Sequence, residues 1–463
     1  MEGGTVSESD PDSIMSTRLD EPDRSPPPAS TDVPRMPQVT VVRRKRLTLV
    51  SGRPRVPFAL ATLLVVLSTA VAACGFRGRS ADDSDPNALA LLVPAYSDAT
   101  RAEWSTIIAN FRAQNPAITI HLQVESWDSI NEVVRTDLQS VTTTPDILGI
   151  DAYSAYATDD MLYAATDIAD PAVLHDIDPG FARNASIDGT QWALPLFAST
   201  RTLFYNTDLF ARAGIPGPPR TWSELREDAH RVQALGGGIS GYGLPLGSEE
   251  AQGETSIWTF GAGGSWSDGT TLTVDTDANR EGVRDMAALA AAGDTQPNPG
   301  STDRKDVINA FIQGRIGMIE GLPPVLGMIG RQNPALRYAT APSPTKTGAP
   351  VTLGVADHLM AFRKHGNKQA AIRQFLNFFY SPAVYSDFVR AEHFIPITAS
   401  GARALAHDPV TETFAATLPV ARFYPSADPN WAAVQGAIRQ QMGTVTQGAD
   451  PAEVLRRIAR AAQ

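Results

Sequence analysis

The sequence predicts an α/β fold built on a parallel sheet, and the pattern of residues 88–150 carries this prediction. The run from Ala88 to Val93 is apolar throughout, which is typical of a strand buried on both faces. Residues 101–114 place apolar side chains three or four positions apart, which indicates one buried helix face. Two further strands and one further helix are predicted at residues 118–124, 145–150 and 129–138. Because strands and helices alternate, we expect parallel strands joined by crossover helices.

The composition excludes several classes of function. The chain has 463 residues, of which 43% are hydrophobic and 19% charged, and its formal net charge is -11. A negative surface repels nucleic acid, so we expect no nucleic-acid partner. The seven histidines are scattered and the lone cysteine cannot form an internal disulfide, so we expect no metal site and no cofactor. No phosphate-binding loop with a Gly-Lys-Ser/Thr end occurs, so the chain is not expected to hydrolyse ATP.

The N-terminal region has the order of a secretory signal. Residues 1–40 are rich in Pro, Ser, Asp and Glu, and a basic run at residues 43–46 follows. The apolar run over residues 58–73 has 16 residues and ends in small side chains. A membrane-spanning helix needs about 20 residues, so a signal peptide is favoured over an uncleaved anchor.

The end of this run, Val71-Ala72-Ala73-Cys74, resembles the lipobox of bacterial lipoproteins. The resemblance implies that Cys74 is lipidated and becomes the mature N-terminus. We therefore expect residues 1–73 to be a disordered extension with a lipoprotein signal peptide. Residues 74–87 are polar and small, which is typical of a flexible tether.

Four segments of the mature chain carry motifs in a fixed order. Residues 188–225 contain Gly-x-x-Trp-Ala-x-Pro, Phe-Tyr-Asn-x-Asp-Leu-Phe, Ala-Gly-Ile and Pro-Pro-x-Thr-Trp. Residues 311–318 contain Phe-x-x-Gly-x-x-Gly-Met, and matching stretches occupy residues 367–379 and 448–455. Together they resemble the maltose-binding-protein type of extracellular solute receptor over nearly all of residues 88–463.

The resemblance implies an α/β, two-lobed periplasmic-binding-protein-like fold with three hinge crossings. We expect the crossings near residues 197–201, 352–357 and 395–400. Lobe one would comprise residues 88–197 with 357–396, and lobe two residues 198–356 with 397–463. The resemblance also implies closure of the two lobes on the ligand by hinge bending, and we expect a monomer.

The implied function is capture of a carbohydrate or sugar-like molecule for an ABC importer. The partners would be ABC permease subunits and their ATPase, and the protein would be held on the outer face of the cell membrane by the lipid on Cys74. Two alternatives are an exported carbohydrate-active hydrolase and a sensory lipoprotein without a transport role. An enzyme is disfavoured because no Gly-x-Ser-x-Gly elbow occurs. The acidic pairs Glu249-Glu250 and Asp159-Asp160 lie on polar stretches and are predicted to be solvated.

Two departures from the family pattern suggest a more polar pocket. Family members often carry a Gly-x-Trp whose ring stacks on a sugar, whereas residues 320–324 of this chain are Glu-Gly-Leu-Pro-Pro. In the stretch where family members usually have Gly-Gly-x-x-Leu, this chain has Asp357 and His358. The resemblance therefore implies a pocket with one aromatic platform fewer and with added charge, so a plain malto-oligosaccharide is not the expected ligand.

Candidate ligand-binding residues follow the carboxyl ends of the predicted strands, where ligands of parallel α/β sheets bind. Tyr96 and Ser97 follow the first strand, Trp127 the second, and Asp151 and Tyr153 the third. Trp127 could instead pack at the start of the next helix, and Asp151 could cap a helix.

The remaining candidates lie on the expected crossings or in lobe two. Ser199, Thr200 and Arg201 are on the first crossing and face either the cleft or the hinge. Trp258 lies on a predicted helix and could be a core residue, and His358 could be structural. The predicted ligand-binding residues of this second group are Ser199, Thr200, Trp258, Gly321, Asp357, His358, Arg422 and Trp431.

Overall fold

A computed structural model describes residues 84–462 of the chain, except for residue 365. The predicted signal peptide, most of the tether and Cys74 lie outside the described residues. Among the residues that are described, no helix has the length and apolar character needed to cross a membrane.

The first half of the fold begins with the alternation of strands and helices that the sequence predicts, and after the third strand it continues with four helices and then four strands. Its elements are β1 (Ala88–Pro94), α1 (Thr100–Gln114), β2 (Thr119–Glu125), α2 (Ile130–Asp137), β3 (Ile147–Ile150), α3 (Ser154–Thr158), α4 (Ala165–Ile168), α5 (Pro171–Asp176), α6 (Pro179–Asn184), β4 (Ser186–Ile187), β5 (Thr190–Gln191), β6 (Leu194–Thr200), β7 (Thr202–Asn206), α7 (Thr207–Arg212), α8 (Trp222–Gln233) and β8 (Ser240–Gly243).

Helices predominate in the second half, and only four strands occur among its described residues. The elements are α9 (Ala251–Gly261), α10 (Asp277–Ala291), α11 (Arg304–Ile312), β9 (Ile316–Gly321), α12 (Pro324–Gln332), β10 (Tyr338–Ala341), β11 (Thr352–Ala361), α13 (Gln369–Phe379), α14 (Pro382–Ala391), α15 (Ala399–Ala404), α16 (Pro409–Ala415), β12 (Ala421–Phe423), α17 (Trp431–Gln441) and α18 (Pro451–Ala459).

One sheet of six strands has the order β12-β11-β3-β1-β2, with β6 also paired to β11. Strand β1 pairs in parallel with β2 and with β3, which confirms the predicted β-α-β-α-β unit. Strand β11 is antiparallel to both β3 and β6. The sheet is therefore mixed. Strands β11 and β12 run parallel to each other and opposite to the other four strands.

A second sheet of four strands has the order β10-β7-β9-β8. Strand β7 is antiparallel to β9 and β10, while β8 and β9 are parallel. Together with the six-stranded sheet, this gives the α/β architecture with two sheet-centred lobes that the motifs predicted.

Each sheet is covered by helices whose apolar faces form tightly packed aromatic clusters. Next to the six-stranded sheet, Trp104 of α1 stacks on Phe379 with ring centroids 4.9 Å apart and contacts Phe388 at 5.0 Å. Next to the four-stranded sheet, Trp222 packs on Trp258 at 5.0 Å. Aromatic pairs at such distances add to the free energy of area burial, so both clusters hold their helices firmly on the sheets.

Helix α8 shows how the sequence sets a local boundary. The side chain of Thr221 accepts a hydrogen bond from the backbone N–H of Glu224, whose side chain accepts in turn from the Thr221 N–H. This capping box satisfies two donors that the helix itself leaves unpaired. The threonine of the Pro-Pro-x-Thr-Trp motif therefore marks the start of this helix.

Arg201 is the single residue between β6 of the six-stranded sheet and β7 of the four-stranded sheet. Its backbone N–H donates to the carbonyl of Leu353 on β11, and the hydroxyl of Thr352 donates to the Arg201 carbonyl at 2.6 Å. The chain therefore passes from one sheet to the other at a fixed point, and this point lies within the predicted first crossing, residues 197–201. The lobe boundaries and the number of crossings stay predictions.

Candidate functional site

A cavity lies where the carboxyl ends of β1, β2 and β3 approach residues that follow the four-stranded sheet. Loops and strand ends from both halves of the fold contribute to it. Its lining residues are Tyr96, Trp127, Asn131, Asp151, Phe197, Ser199, Arg201, Glu249, Glu250, Gln252, Arg304, Leu322, Val355, Asp357, Phe394, Tyr424 and Arg439.

Four aromatic side chains form one side of the cavity, which we call the aromatic wall: Tyr96, Trp127, Phe197 and Phe394. The ring of Tyr96 contacts the other three edge-on, with centroid separations of 4.8 to 6.0 Å. Phe197 and Phe394 stack nearly parallel at 3.7 Å. Phe197 and Phe394 are almost completely buried, so the half-buried rings of Tyr96 and Trp127 offer the flat apolar area against which the C–H face of a ring can pack.

Four charged side chains form the opposing side, which we call the charged wall: Arg201, Glu249, Glu250 and Arg304. Arg201 donates to Glu250, Arg304 forms ion pairs with Glu250 and Glu249, and the Arg304–Glu249 distance is 2.7 Å. All four side chains are largely buried. The charges therefore neutralise each other inside the protein and fix each other's orientation.

The pKa values of these groups show that pairing outweighs burial. Burial alone would raise the pKa of the Glu250 carboxyl, but Arg201 and Arg304 lower it below its usual range. Burial would likewise lower the pKa of Arg304, whereas Glu250 and Glu249 raise it. Glu250 and Arg304 are therefore ionised at neutral pH, and the expectation that Glu249-Glu250 form a solvated pair is wrong because both side chains are buried in ion pairs. Asp159 and Asp160, by contrast, are exposed.

Asp151 lies directly after β3 and lines the cavity, as its position in the sequence suggested. Its Oδ2 accepts a hydrogen bond of 2.8 Å from Gln435, and Arg439 lies one helical turn further along α17. Burial raises the pKa of Asp151, while Gln435 and Arg439 act in the opposite direction. Asp151 does not serve as a helix cap, since the helix that follows begins at Ser154.

Asp357 lies on β11 with 5% of its surface exposed and also lines the cavity. Its Oδ1 accepts no hydrogen bond from any described residue. Burial raises the pKa of Asp357 well above its usual range, and Asp151 and Glu250 raise it further. Arg201 and Arg304 oppose this increase without cancelling it.

Five of the thirteen predicted ligand-binding residues line this cavity: Tyr96, Trp127, Asp151, Ser199 and Asp357. Ser97 lines an adjoining space that shares Tyr96 and Trp127 with it. The structure thus brings together the residues that follow all three parallel strands. Ligand contact by these residues stays a prediction.

Three predicted residues lie outside the cavity lining, and for Thr200 and His358 the reason is that neighbouring residues of an extended chain face opposite sides. Thr200 donates to the carbonyl of Phe414, whereas Ser199 before it lines the cavity. His358 is fully buried against the ring of Tyr153 at 5.2 Å, and the Tyr153 hydroxyl donates to the Asn184 carbonyl. Asp357 thus adds a carboxyl group to the cavity, but the imidazole does not line it.

The other predicted residues also lie outside the cavity lining. Trp258 is 1% exposed in the core, with its indole N–H donating to Glu254 at 2.8 Å. Trp431 is buried behind Tyr424 at a centroid distance of 5.2 Å. The guanidinium group of Arg422 donates to the Gly264 carbonyl and its side chain is exposed. A Cβ on Gly321 would lie 2.4 Å from the Phe204 ring, so this glycine allows close packing.

Sequence reasoning missed most of the charged wall and half of the aromatic wall. No local pattern connects Arg201 with Glu250 or Arg304 with Glu249, because each pair is separated by about fifty residues. Phe197 and Phe394 meet only because an isolated bridge joins Ala198 to Ile395. One available signal was the four-residue spacing of Gln435 and Arg439, which places both on one face of a helix.

A two-lobed α/β fold with a cavity between sheet-bearing halves defines the class of bacterial binding proteins, and the comparisons agree. Residues 96–385 match the family described as bacterial extracellular solute-binding protein. A protein of Brucella abortus (strain 2308), described as a candidate binding protein, is 30% identical over 392 residues, covering 81% of this chain and 92% of the relative. This chain therefore belongs to the bacterial extracellular solute-binding protein family.

Solved structures share the fold. An ABC transporter solute-binding protein from Thermotoga lettingae TMO, bound with α-D-tagatose, superposes with a TM-score of 0.70 at 21% identity, covering 81% of this chain and 98% of that chain. A maltose-bound protein from T. maritima gives a TM-score of 0.70 at 18% identity, with coverage of 81% and 98%. The predicted resemblance to maltose-binding receptors is thereby confirmed at the level of fold.

Proposed function

We propose that this protein captures a carbohydrate or sugar-like molecule in the cavity between the aromatic wall and the charged wall. The observation that carries the proposal is the combination of the two walls in one cavity. Sugars present flat C–H faces and many hydroxyl groups, which require apolar rings on one side and directed hydrogen-bonding groups on the other. The tagatose- and maltose-bound neighbours support a ligand of this class.

The further proposal is delivery of this ligand to an ABC importer by a receptor anchored outside the cell membrane. Membership of an extracellular family supports an extracytoplasmic location. The lipobox-like segment ending in Cys74 supports a lipid anchor. Incorporation of a radiolabelled fatty acid into the wild type, and its loss in Cys74→Ser, is the expected result. Absence of label from the wild type would exclude the anchor.

Binding is tested by a thermal-shift screen of monosaccharides, disaccharides and polyols with the purified full chain in detergent. A ligand that binds only the native state raises the melting temperature by mass action. Hits are then incubated with the protein and analysed for products. The expected result is a saturable shift with unchanged sugar, whereas turnover would support the hydrolase alternative. No shift with any sugar or polyol would contradict the proposal.

Closure of the two lobes on the ligand is part of the proposal. We place lobe one at residues 88–197 with 357–396 and lobe two at residues 198–356 with 397–463, with Arg201 at the first crossing. Small-angle scattering should show a smaller radius of gyration at saturation with a sugar identified in the screen. An unchanged radius at saturation would contradict hinge closure.

A further inference from the structure

Four acids line the cavity, and among the described residues no arginine or lysine forms an ion pair with one of them, the buried Asp357. Glu249 and Glu250 are paired with Arg304 and Arg201 within the charged wall. Asp151 accepts from Gln435 and has Arg439 as its nearest favourable charge. The Oδ1 of Asp357 accepts no hydrogen bond from the described residues, although the side chain lines the cavity.

The charges of the cavity lining do not balance. Among the described residues that line it, four are acidic and three are arginines, which leaves one negative charge in excess when all four acids are ionised. Arg201 and Arg304 are already engaged by the two glutamates, so they have little capacity to neutralise Asp357 as well. A buried carboxylate without a partner is costly because it has lost its hydration.

The surroundings of Asp357 fit a cationic group better than a second anion or an apolar group. Asp151 and Glu250 are close enough to disfavour its ionised form, so an incoming positive charge would interact favourably with all three carboxylates. Tyr96 lies beside Asp357: burial raises the pKa of its hydroxyl group, and Asp357 raises it further through its charge and a side-chain hydrogen bond. The aromatic rings beside it can attract a cation through their faces.

We infer that the ligand is a sugar-like molecule carrying one positive charge, such as an amino sugar, with its ammonium group bound by Asp357. This inference rests on the proposed function and narrows its ligand class. The ammonium group donates to the free Oδ1 of Asp357 and removes the excess negative charge of the cavity. The hydroxyl groups and the ring of the same molecule occupy the space between the aromatic wall and the charged wall.

The test compares paired sugars that differ in charge, using titration calorimetry of the full chain at pH 6. The probes are glucosamine against glucose, and the β-1,4-linked glucosamine disaccharide against its N-acetylated form. In at least one pair, the amino sugar should bind about ten- to a hundred-fold more tightly, the factor expected for one hydrogen bond to a charged group. Equal or tighter binding of the neutral member in both pairs would overturn the inference.

Two variants assign the preference to Asp357. Asp357→Asn should abolish the advantage of the amino sugar and leave the affinity for the neutral sugar within a few-fold. Asp188→Asn removes the same charge from the exposed turn between β4 and β5 and should leave the preference intact. An amino-sugar preference that survives in Asp357→Asn would exclude Asp357 as the ammonium site. The wild-type comparison remains decisive if Asp357→Asn folds poorly.

The outcomes separate this inference from the proposed function. Binding of neutral sugars without preference for their amino counterparts overturns the inference and leaves a sugar receptor in place. It would mean that Asp357 is protonated in the folded protein and donates to a neutral hydroxyl group. Absence of binding by both members of both pairs, together with a negative sugar screen, contradicts both proposals.

Discussion

The aromatic wall and the charged wall line the same cavity, but their side chains are satisfied in different ways. In the aromatic wall, Phe197 and Phe394 are buried against each other, whereas the rings of Tyr96 and Trp127 are only half-buried and line the cavity. The charged wall is paired internally, and each arginine has a glutamate within ion-pair distance. Loss of an aromatic side chain should therefore affect ligand affinity, whereas loss of a charged one should affect the stability of the fold.

The largest expected effect is on stability. Arg304→Ala leaves Glu249 and Glu250 buried without their shared partner, which should lower the free energy of unfolding by about 3–5 kcal/mol. Arg226→Ala is the matched control, because its pair with Asp285 is partly exposed and should contribute about 0–1 kcal/mol. Urea denaturation measures both variants. Equal losses would show that the charged wall behaves like a surface ion pair.

A second stability effect arises behind the charged wall, where Glu254 accepts hydrogen bonds from Tyr242 and Trp258. Burial raises the pKa of Glu254 to about 7, above its usual value of 4.5. The unfolded chain therefore releases this proton first, so the stabilisation is complete below pH 4.5 and is lost as the pH rises to about 7. The loss is on the order of 3 kcal/mol.

Glu254→Gln should flatten the decline in unfolding free energy between pH 5 and pH 7, as measured by urea titrations at each pH. Glu320 provides an internal comparison, since burial raises its pKa to about 8. Glu320→Gln should remove the part of the decline that extends to higher pH. A pH profile that is unchanged in both variants would show that these carboxyl groups are ionised in the folded protein.

Substitution in the aromatic wall should have the opposite effect: ligand affinity should fall while the stability of the protein changes little. Trp127→Ala should weaken sugar binding by one to two decades, because it removes apolar contact worth roughly 1.5–3 kcal/mol. Its melting temperature without ligand should change little, since the side chain is only half-buried. Trp192→Ala, a half-buried tryptophan outside the cavity lining, is the control and should bind normally. Normal binding by Trp127→Ala would place Trp127 among the helix-packing residues.

The smallest effect concerns Asp151 and Arg422, two charged residues that the sequence suggested as ligand contacts. Asp151→Ala should weaken binding by about ten-fold, because it removes one charged hydrogen-bonding group from the cavity. Arg422→Ala should leave affinity unchanged, since Arg422 is exposed and donates to Gly264. Calorimetry on both variants decides between this geometry and the original expectation that both residues contact the ligand.

The local sequence determined the parallel unit, the helix boundaries and the family. Alternation and apolar periodicity are properties of neighbouring residues, so β1, α1, β2 and the cap at Thr221 could be predicted with errors of one or two residues. The same reasoning placed Tyr96, Trp127 and Asp151 at the carboxyl ends of parallel strands. The carboxyl ends of parallel strands lie at the same edge of the sheet, so these three residues had to lie close together.

Only the tertiary structure decided which side chains complete the cavity and how their charges are balanced. Arg201 meets Glu250, and Phe197 meets Phe394, across separations at which the sequence carries no periodic signal. Whether Asp357 or His358 faces the cavity depends on the register of β11 against β3 and β6, since a shift of one residue reverses every side chain. Pairing and burial then set the pKa of each acid, because both are properties of residues that are distant in the sequence and adjacent in the fold.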